Sequence, residues 1–350
     1  MVLKVTAPGR VVLFGEHQDY LGLPVIPAAI DLHIEVSGQK AQGSSISVLL
    51  DDLGHVESFT PTLESPLPKR SYLQSSVRIL QREGIIPFNI GVNAQIQSEI
   101  PIQAGLSSSS ALVVVWLKFL SELYEHPLSP MELTKFAYRA EVEEFNEPGG
   151  MQDHMAIAHG FVNYEEFNPV RCTKLLDSFP GLLIGDSQEK KDTLTTLAML
   201  KQGVNSALNE LGKKSVTDID PLKFNPEDIS DGYARSCLTG AVLNFNITKK
   251  AYTEFITNKA DFDPSLIGNL INSHHTSLRE HLHISTPKIE HMITAANEAG
   301  ALGCKITGSG NGGCMIAFCP GNEKVVQRAI ELAGGVVYPA QVVSGAKKII

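Results

Sequence analysis

Positive charge is scarce in this sequence. Lysine and arginine number 29 against 38 aspartates and glutamates, a formal net charge of −9 across 350 residues. Such a chain lacks the broad cationic face that nucleic acid or anionic lipid would need, although a local anion site takes only a few donors. Long apolar runs are missing too. No stretch approaches the ~18 residues that span a bilayer, and no early segment joins a basic flank, an apolar run and a small-residue cleavage site. Neither a membrane partner nor a secretory leader is therefore expected. Cysteine is sparse: Cys172, Cys237, Cys304, Cys314 and Cys319 are scattered, odd in number and outside any metal-knuckle spacing. That predicts reduced thiols in a cytoplasmic protein, with no disulfide framework and no zinc site.

What is present is ordinary globular material, 43% hydrophobic and 19% charged, in a chain too long for one typical core, so two domains are expected. "KVTAPGRVVLFGEH" reads as a strand that turns at Pro8-Gly9 and resumes. "LHIEVSG" and "SISVLLDD" read as strands joined by a Gly/Ser turn. "SYLQSSVRILQREG" has helical spacing and stops at Gly84, and Ser129 with Pro130 starts a second well-signalled helix. "GFVNYEEF" and "GLLIGDS" read as strands on either side of a loop. "GCKITGSGNGGCMIAFCP" reads as strand, glycine loop, strand. Strands and helices mix without strict alternation and without a fixed repeat. The fold class expected is α+β, in two domains spanning 1–175 and 176–350.

One segment has conflicting propensities. In "PIQAGLSSSSALVVVW", residues 101 to 116, four serines stand between a glycine and a valine-rich run. A strand ends at Pro101 and a helix starts among the serines. The free N–H groups of a first helical turn, aided by the helix dipole, attract anions. Serine adds hydroxyls without bulk, and Gly105 lets the backbone approach a ligand. No Gly-Lys-Ser/Thr follows, so this is not a Walker loop. The competing reading is a polar helix start made of small capping residues. A hydroxyl here could also meet Mg²⁺, a hard cation that favours oxygen ligands and substrate phosphates.

Three ordered motifs decide between these readings. "APGRVVLFGEHQDYLGLPVIPAAI", residues 7 to 30, resembles the N-terminal signature of galactokinases. "PIQAGLSSSSAL" resembles the phosphate loop of the wider GHMP kinase family of galacto-, homoserine, mevalonate and phosphomevalonate kinases. "KITGSGNGGCMIAF", residues 305 to 318, resembles that family's C-terminal glycine motif, and the segment from Leu270 to Gly303 resembles the galactokinase stretch before it. The resemblance implies an N-terminal domain of the ribosomal-protein-S5-domain-2-like type, a ferredoxin-like C-terminal domain and an active site between them. It implies ATP as co-substrate, Mg²⁺ as cofactor, a small sugar as acceptor, and a monomer or homodimer.

It also implies roles. Asp153 matches the catalytic aspartate and Arg10 the arginine beside it. Ser109 and Glu141 match the metal ligands. Gly105, Leu106, Ser107, Ser108, Ser109 and Ser110 match the ATP-binding loop, and Glu16, His17, Asp19 and Gly150 the sugar-binding positions. The chemistry fits: phosphoryl transfer depends on positioning and charge neutralisation, an anomeric hydroxyl is acidic enough for a carboxylate base, and a neighbouring cation would keep Asp153 ionised. Taken singly, these residues are blander. Glu141 alone is a solvated helix carboxylate, Asp153 a loop cap, and Arg10 with Glu16 a surface ion pair.

The match is incomplete. Val12, Gln18 and Ser110 replace the usual Asn, Thr and Ala. "QEKKDTLTTLAMLKQ" carries no counterpart of the tyrosine that touches the sugar in galactokinases, which puts galactose itself in doubt. Galactose, arabinose, a uronic acid and a heptose phosphate all stay open as acceptors, with the lysines of "EKK" at 189 to 191 a weak source of charge for a uronate. A sugar and ATP sensor without turnover is the other reading; a third, an acid-alcohol kinase of the mevalonate type, is opposed by the Gly-Glu-His-Gln-Asp-Tyr stretch. His274, His275, His281, His283 and His291 lack clean metal spacing and read as a solvated helix face; Trp116 reads as core.

Overall fold

The chain is described here by a computed structural model, which covers residues 2–63, 65–102, 104–190 and 193–349. In chain order the elements are β1 (Leu3–Phe14), β2 (Ile26–Ala41), β3 (Ile46–Leu50), β4 (His55–Phe59), α1 (Tyr72–Arg82), β5 (Gly91–Ser98), α2 (Ser108–Leu123), α3 (Pro130–Tyr138), α4 (Gln152–His159), β6 (Val162–Phe167), β7 (Val170–Leu176) and β8 (Leu182–Asp186). There follow α5 (Thr193–Glu210), α6 (Gly232–Asn258), α7 (Pro264–Glu280), α8 (Pro287–Glu298), β9 (Gly303–Ile306), β10 (Cys314–Phe318), α9 (Glu323–Leu332), β11 (Val336–Ala340) and β12 (Lys347–Lys348).

The strands form two sheets. The first runs β12-β1-β2-β5-β3-β4, with β6 attached to β2 and β7 to β6; the second runs β11-β8-β10-β9. This is a two-unit α+β architecture. The chain's last residues return to the first sheet, where Lys347 and Lys348 pair with Thr6 and Val5, so the second half of the chain is not confined to the second unit. One apolar cluster joins the first sheet to α1, α2 and α3, with Trp116 fully buried in it. Its indole N–H donates to the Leu73 carbonyl at 3.1 Å, which satisfies the ring's only polar group. A second cluster packs α5 to α9 on β8 to β10.

Three local readings change. The turn expected at Pro8-Gly9 is a bulge: β1 runs on unbroken, and a register shift between the two residues absorbs the irregularity. Gly9 is needed for close approach, since a Cβ there would lie 3.1 Å from the Leu106 carbonyl oxygen. The strands β2 and β3 are not hairpin partners, because β5 inserts between them and pairs parallel with β3. The loop expected after β6 contains β7, its antiparallel partner; with Arg171 and Lys174 on a mostly exposed edge, β7 carries no apolar alternation to read.

The histidines are also placed differently. His274 and His275 are 0% and 4% exposed rather than solvated. His274 stacks on Phe14 with ring centroids 6.2 Å apart, and the His275 Nε2 lies 2.9 Å from a Glu290 carboxylate oxygen. Both rings are covered because α7 packs against β9 and β1 with the face that carries Ile267, Leu270, Ile271 and Leu278, and both histidines share that face.

Candidate active site

The site grows from the open edge of β1. Arg10 donates its backbone N–H to the Leu106 carbonyl at 3.2 Å and Nη1 to the Gly105 carbonyl at 2.7 Å, which ties the strand to the serine loop. The rest of the guanidinium grips Asp153 on the first turn of α4, Nε to Oδ1 at 2.7 Å and Nη2 to Oδ2 at 2.8 Å. Ser107 adds a hydroxyl to Oδ2 at 2.5 Å. Burial alone would raise the Asp153 carboxyl, but the charge and hydrogen bonds of Arg10, with Ser107, outweigh it and hold the group below its ordinary value. Arg10 is thus no surface residue paired with Glu16; it is 4% exposed and belongs to Asp153.

Ser107 caps α2 with φ at 59°, a left-handed conformation rare for serine, and its hydroxyl makes no cap hydrogen bond. The helix ladder starts with Ala111 N–H on the Ser107 carbonyl, so the amides of Ser108, Ser109 and Ser110 lie ahead of it at the wall of the cleft. Behind them Glu141 sits in an irregular turn, Arg139–Glu143, that prolongs α3. Burial would raise its carboxyl, but hydrogen bonds from His154, Ser109 and Ser110 pull it below the ordinary value. The His154 Nε2 lies 2.7 Å from Glu141 Oε2. Leu106 differs from its neighbours: its side chain is 1% exposed within the core and does not line the cleft.

Across from the serines, the turn after β1 presents Glu16, His17 and Asp19. The Asp19 carboxyl packs on Gly150, where any Cβ would collide with it. Burial, reinforced by the charge of Asp153, pushes Asp19 up to about 6. His17 holds φ at 60° and meets the Tyr20 hydroxyl through Nδ1 at 3.0 Å. Glu16 is 1% exposed, with both carboxylate oxygens engaged: one accepts the Gly308 N–H at 2.9 Å, the other pairs with Lys305.

Arg10, Glu16, His17, Asp19, Gly105, Ser107 to Ser110, Glu141, Gly150 and Asp153 all border one cleft of about 620 Å³ between the two units. Its outer part is bounded by Tyr72 and by Arg70, which pairs with Glu147 at 2.8 Å. In the segment without a tyrosine, Leu194 and Leu197 of α5 border the cleft, and Thr196 bonds Asn311 of the glycine loop at 3.1 Å. Lys190 is exposed, and Lys191 lies outside the described residues. Sequence reasoning missed His154 and Lys305. The first was legible as the neighbour of Asp153; the second had no signal beyond its place at the head of the glycine motif.

Backbone N–H donors at a helix start and an arginine-held carboxylate beside them border a cleft between two α+β units, an arrangement compatible with transfer of a phosphoryl group to a hydroxyl. The chain belongs to the GHMP kinases. The pattern of the GHMP kinase N-terminal domain matches residues 71–161, that of the C-terminal domain 256–334, and the galactokinase galactose-binding signature 3–40. The mevalonate kinase of Thermococcus gammatolerans is 30% identical over 346 residues, covering 96% of this chain and 94% of that one. The galactokinase of Mannheimia succiniciproducens is 29% identical over 335 residues, covering 91% and 85%. The crystal structure of Lactococcus lactis galactokinase complexed with galactose superimposes with a TM-score of 0.87 at 25% identity, covering 99% of this chain and 95% of that one. Relatives of both kinds are similar, so the acceptor must be argued from the site.

Proposed function

We propose that this chain is a cytoplasmic, ATP- and Mg²⁺-dependent kinase that phosphorylates an uncharged monosaccharide at its anomeric hydroxyl. The observation that carries the reading is the charge of the acceptor end. Asp19 and Asp153 border it, with Glu16 beside them already paired with Lys305, while the cations bordering the cleft among the described residues are Arg10 and Arg70, both paired with carboxylates. A mevalonate or uronate carboxylate buried there would lack an unengaged cation and meet like charge, which is strongly unfavourable. A polyol finds the acceptors it needs.

Asp153, ionised at neutral pH, takes the proton of the attacking hydroxyl. The acceptor oxygen forms its bond to the γ-phosphorus as the bond to the β–γ bridging oxygen breaks, and ADP leaves. The first-turn amides of α2 hold the phosphates, and Arg10 meets charge on the moving group. Among the described residues no three acidic, His or Cys side chains gather to hold a metal. The oxygens of Ser109 and Glu141, the latter kept ionised, nevertheless fit a hard cation that completes its shell with phosphate and water. Bound there, Mg²⁺ would neutralise phosphate charge.

The test is ADP release with Mg-ATP over galactose, arabinose, N-acetylhexosamines, uronates, heptose phosphates, mevalonate and homoserine. Turnover on a neutral sugar that falls about 10²–10⁴-fold in Asp153→Asn is the expected result. Preference for mevalonate or a uronate overturns it. ATP binding without turnover on any acceptor favours the sensor reading.

A further inference from the structure

The catalytic aspartate and the phosphate cradle lie in the first unit, whereas the glycine loop, residues 307 to 313, comes from the second. Something must hold that loop in register with the rest of the site. The open edge of β1 shows what does.

Alternate residues of β1 direct N–H and C=O away from β2, and Arg10 directs its N–H to Leu106 in this way. Two residues further on, Val12 has no strand on that side among the described residues. An unpaired edge buried against another unit needs partners for both groups. Two side chains from the second unit supply them. The Thr307 hydroxyl accepts the Val12 N–H at 3.2 Å, and the Lys305 ammonium donates to the Val12 carbonyl at 2.8 Å. Lys305 also pairs with Glu16, whose other oxygen holds the Gly308 amide at 2.9 Å. Lys305 and Glu16 are 0% and 1% exposed. Gly308 borders the cleft; Lys305 does not.

We propose that Lys305 is a positioning residue: through Glu16 and the Val12 carbonyl it fixes the glycine loop over the acceptor without touching the substrate. Glu16, expected from resemblance to contact the sugar, then serves as the other half of this clasp. The pairing also explains why a valine is tolerated at position 12, since the contact uses its backbone alone. A buried ion pair is weak as a source of stability but strict about geometry, and removing one partner strands the other charge.

The effect on catalysis rests on the kinase reading above; the effect on the loop does not. Hydrogen exchange in Lys305→Met is therefore the first arm. Exchange is expected to rise about tenfold or more in residues 307–313 and to stay unchanged in 108–123. In the second arm, kcat on the best acceptor falls about tenfold while the KM for ATP stays within about twofold. Adding Glu16→Gln, which removes the stranded carboxylate, restores at least about threefold of that loss. Thr307→Val, a milder change that keeps both charges, should raise loop exchange about threefold and covers the case in which Lys305→Met does not fold. Unchanged loop exchange in the folded variants overturns the proposal. So does a double variant whose loop is quiet again but whose turnover stays lost, because Glu16 would then be needed by the substrate itself. Failure of every acceptor, with the loop response intact, would count against the kinase reading alone.

Discussion

Arg10 and Asp153 lie 143 positions apart in the chain and meet through two hydrogen bonds, Nε to Oδ1 at 2.7 Å and Nη2 to Oδ2 at 2.8 Å. The planar fork fixes the direction of the carboxylate as well as its charge, which a lysine cannot do. Arg10→Lys should therefore lower kcat about 10- to 100-fold with little change in the KM for ATP. Asp153 is held low by Arg10, so weakening the contact lets its pKa rise. The acid limb of the kcat/KM profile should shift upward in the variant; an unmoved limb would contradict Asp153 as the titrating base.

Asp19 predicts a second pH effect with a definite sign. Its carboxyl is pushed from 3.8 up to about 6 in the folded chain, first by burial and then by Asp153. Between those values the folded state binds more protons than the unfolded one, so stability falls as pH rises through that window and the deficit persists above it. Asp19→Asn should thus be more stable than the parent at pH 7.5, by up to ~3 kcal/mol, and no more stable near pH 4. If the ionised carboxylate accepts sugar hydroxyls, the parent's KM for the acceptor should rise as pH drops below about 6, while the KM for ATP stays flat. Melting curves and initial rates at both pH values check the two halves.

The pattern of legibility follows from what each residue depends on. The serine loop was readable because a helix start is a local event: four small hydroxyl residues after Gly105 conflict with strand and helix propensity alike, and α2 does begin among them. The part played by Ser107 was not, since its hydroxyl meets Asp153, 46 positions on in the chain. Lys305 illustrates the same limit more strongly. A lysine inside "GCKITG" gives no local sign of burial, and its partners Val12 and Glu16 belong to the other unit. His274 reads as solvated only when the histidines are taken by themselves; Ile267, Leu270, Ile271 and Leu278 place it on the apolar face of α7, which β1 and β9 cover. Local chemistry was visible, and long-range pairing became visible only where a family resemblance stood in for it.

Gly150 offers a steric test. A methyl at this position would collide with the Asp19 carboxylate, so Gly150→Ala must displace either the α4 entry or Asp19. The expected outcome is a KM for the acceptor raised about tenfold and a stability loss of about 1–3 kcal/mol. Pairing the change with Asp19→Ala, which removes the two closest obstructing atoms, should recover the stability but not the KM. Recovery of both would mean that Asp19 does not contact the acceptor.

Glu141 carries the last prediction, because its carboxylate is shared between His154 and the hydroxyls of Ser109 and Ser110. Its lowered pKa means an anion at neutral pH, and an oxygen anion beside the proposed phosphate cradle is where a hard cation would gain most. Glu141→Gln keeps the shape and the acceptor oxygen but loses the charge. The Mg²⁺ concentration for half-maximal rate should rise about tenfold or more, and chelation should abolish turnover in both proteins. Ser109→Ala should act in the same direction more weakly. Binding of Mn²⁺ in the presence of ADP, followed by its paramagnetic signal, separates a metal effect from a folding effect: affinity must drop in both variants with melting unchanged. If Mn²⁺ binds equally well to Glu141→Gln, the carboxylate serves only to hold His154, and the cation relies on phosphate and serine oxygens instead.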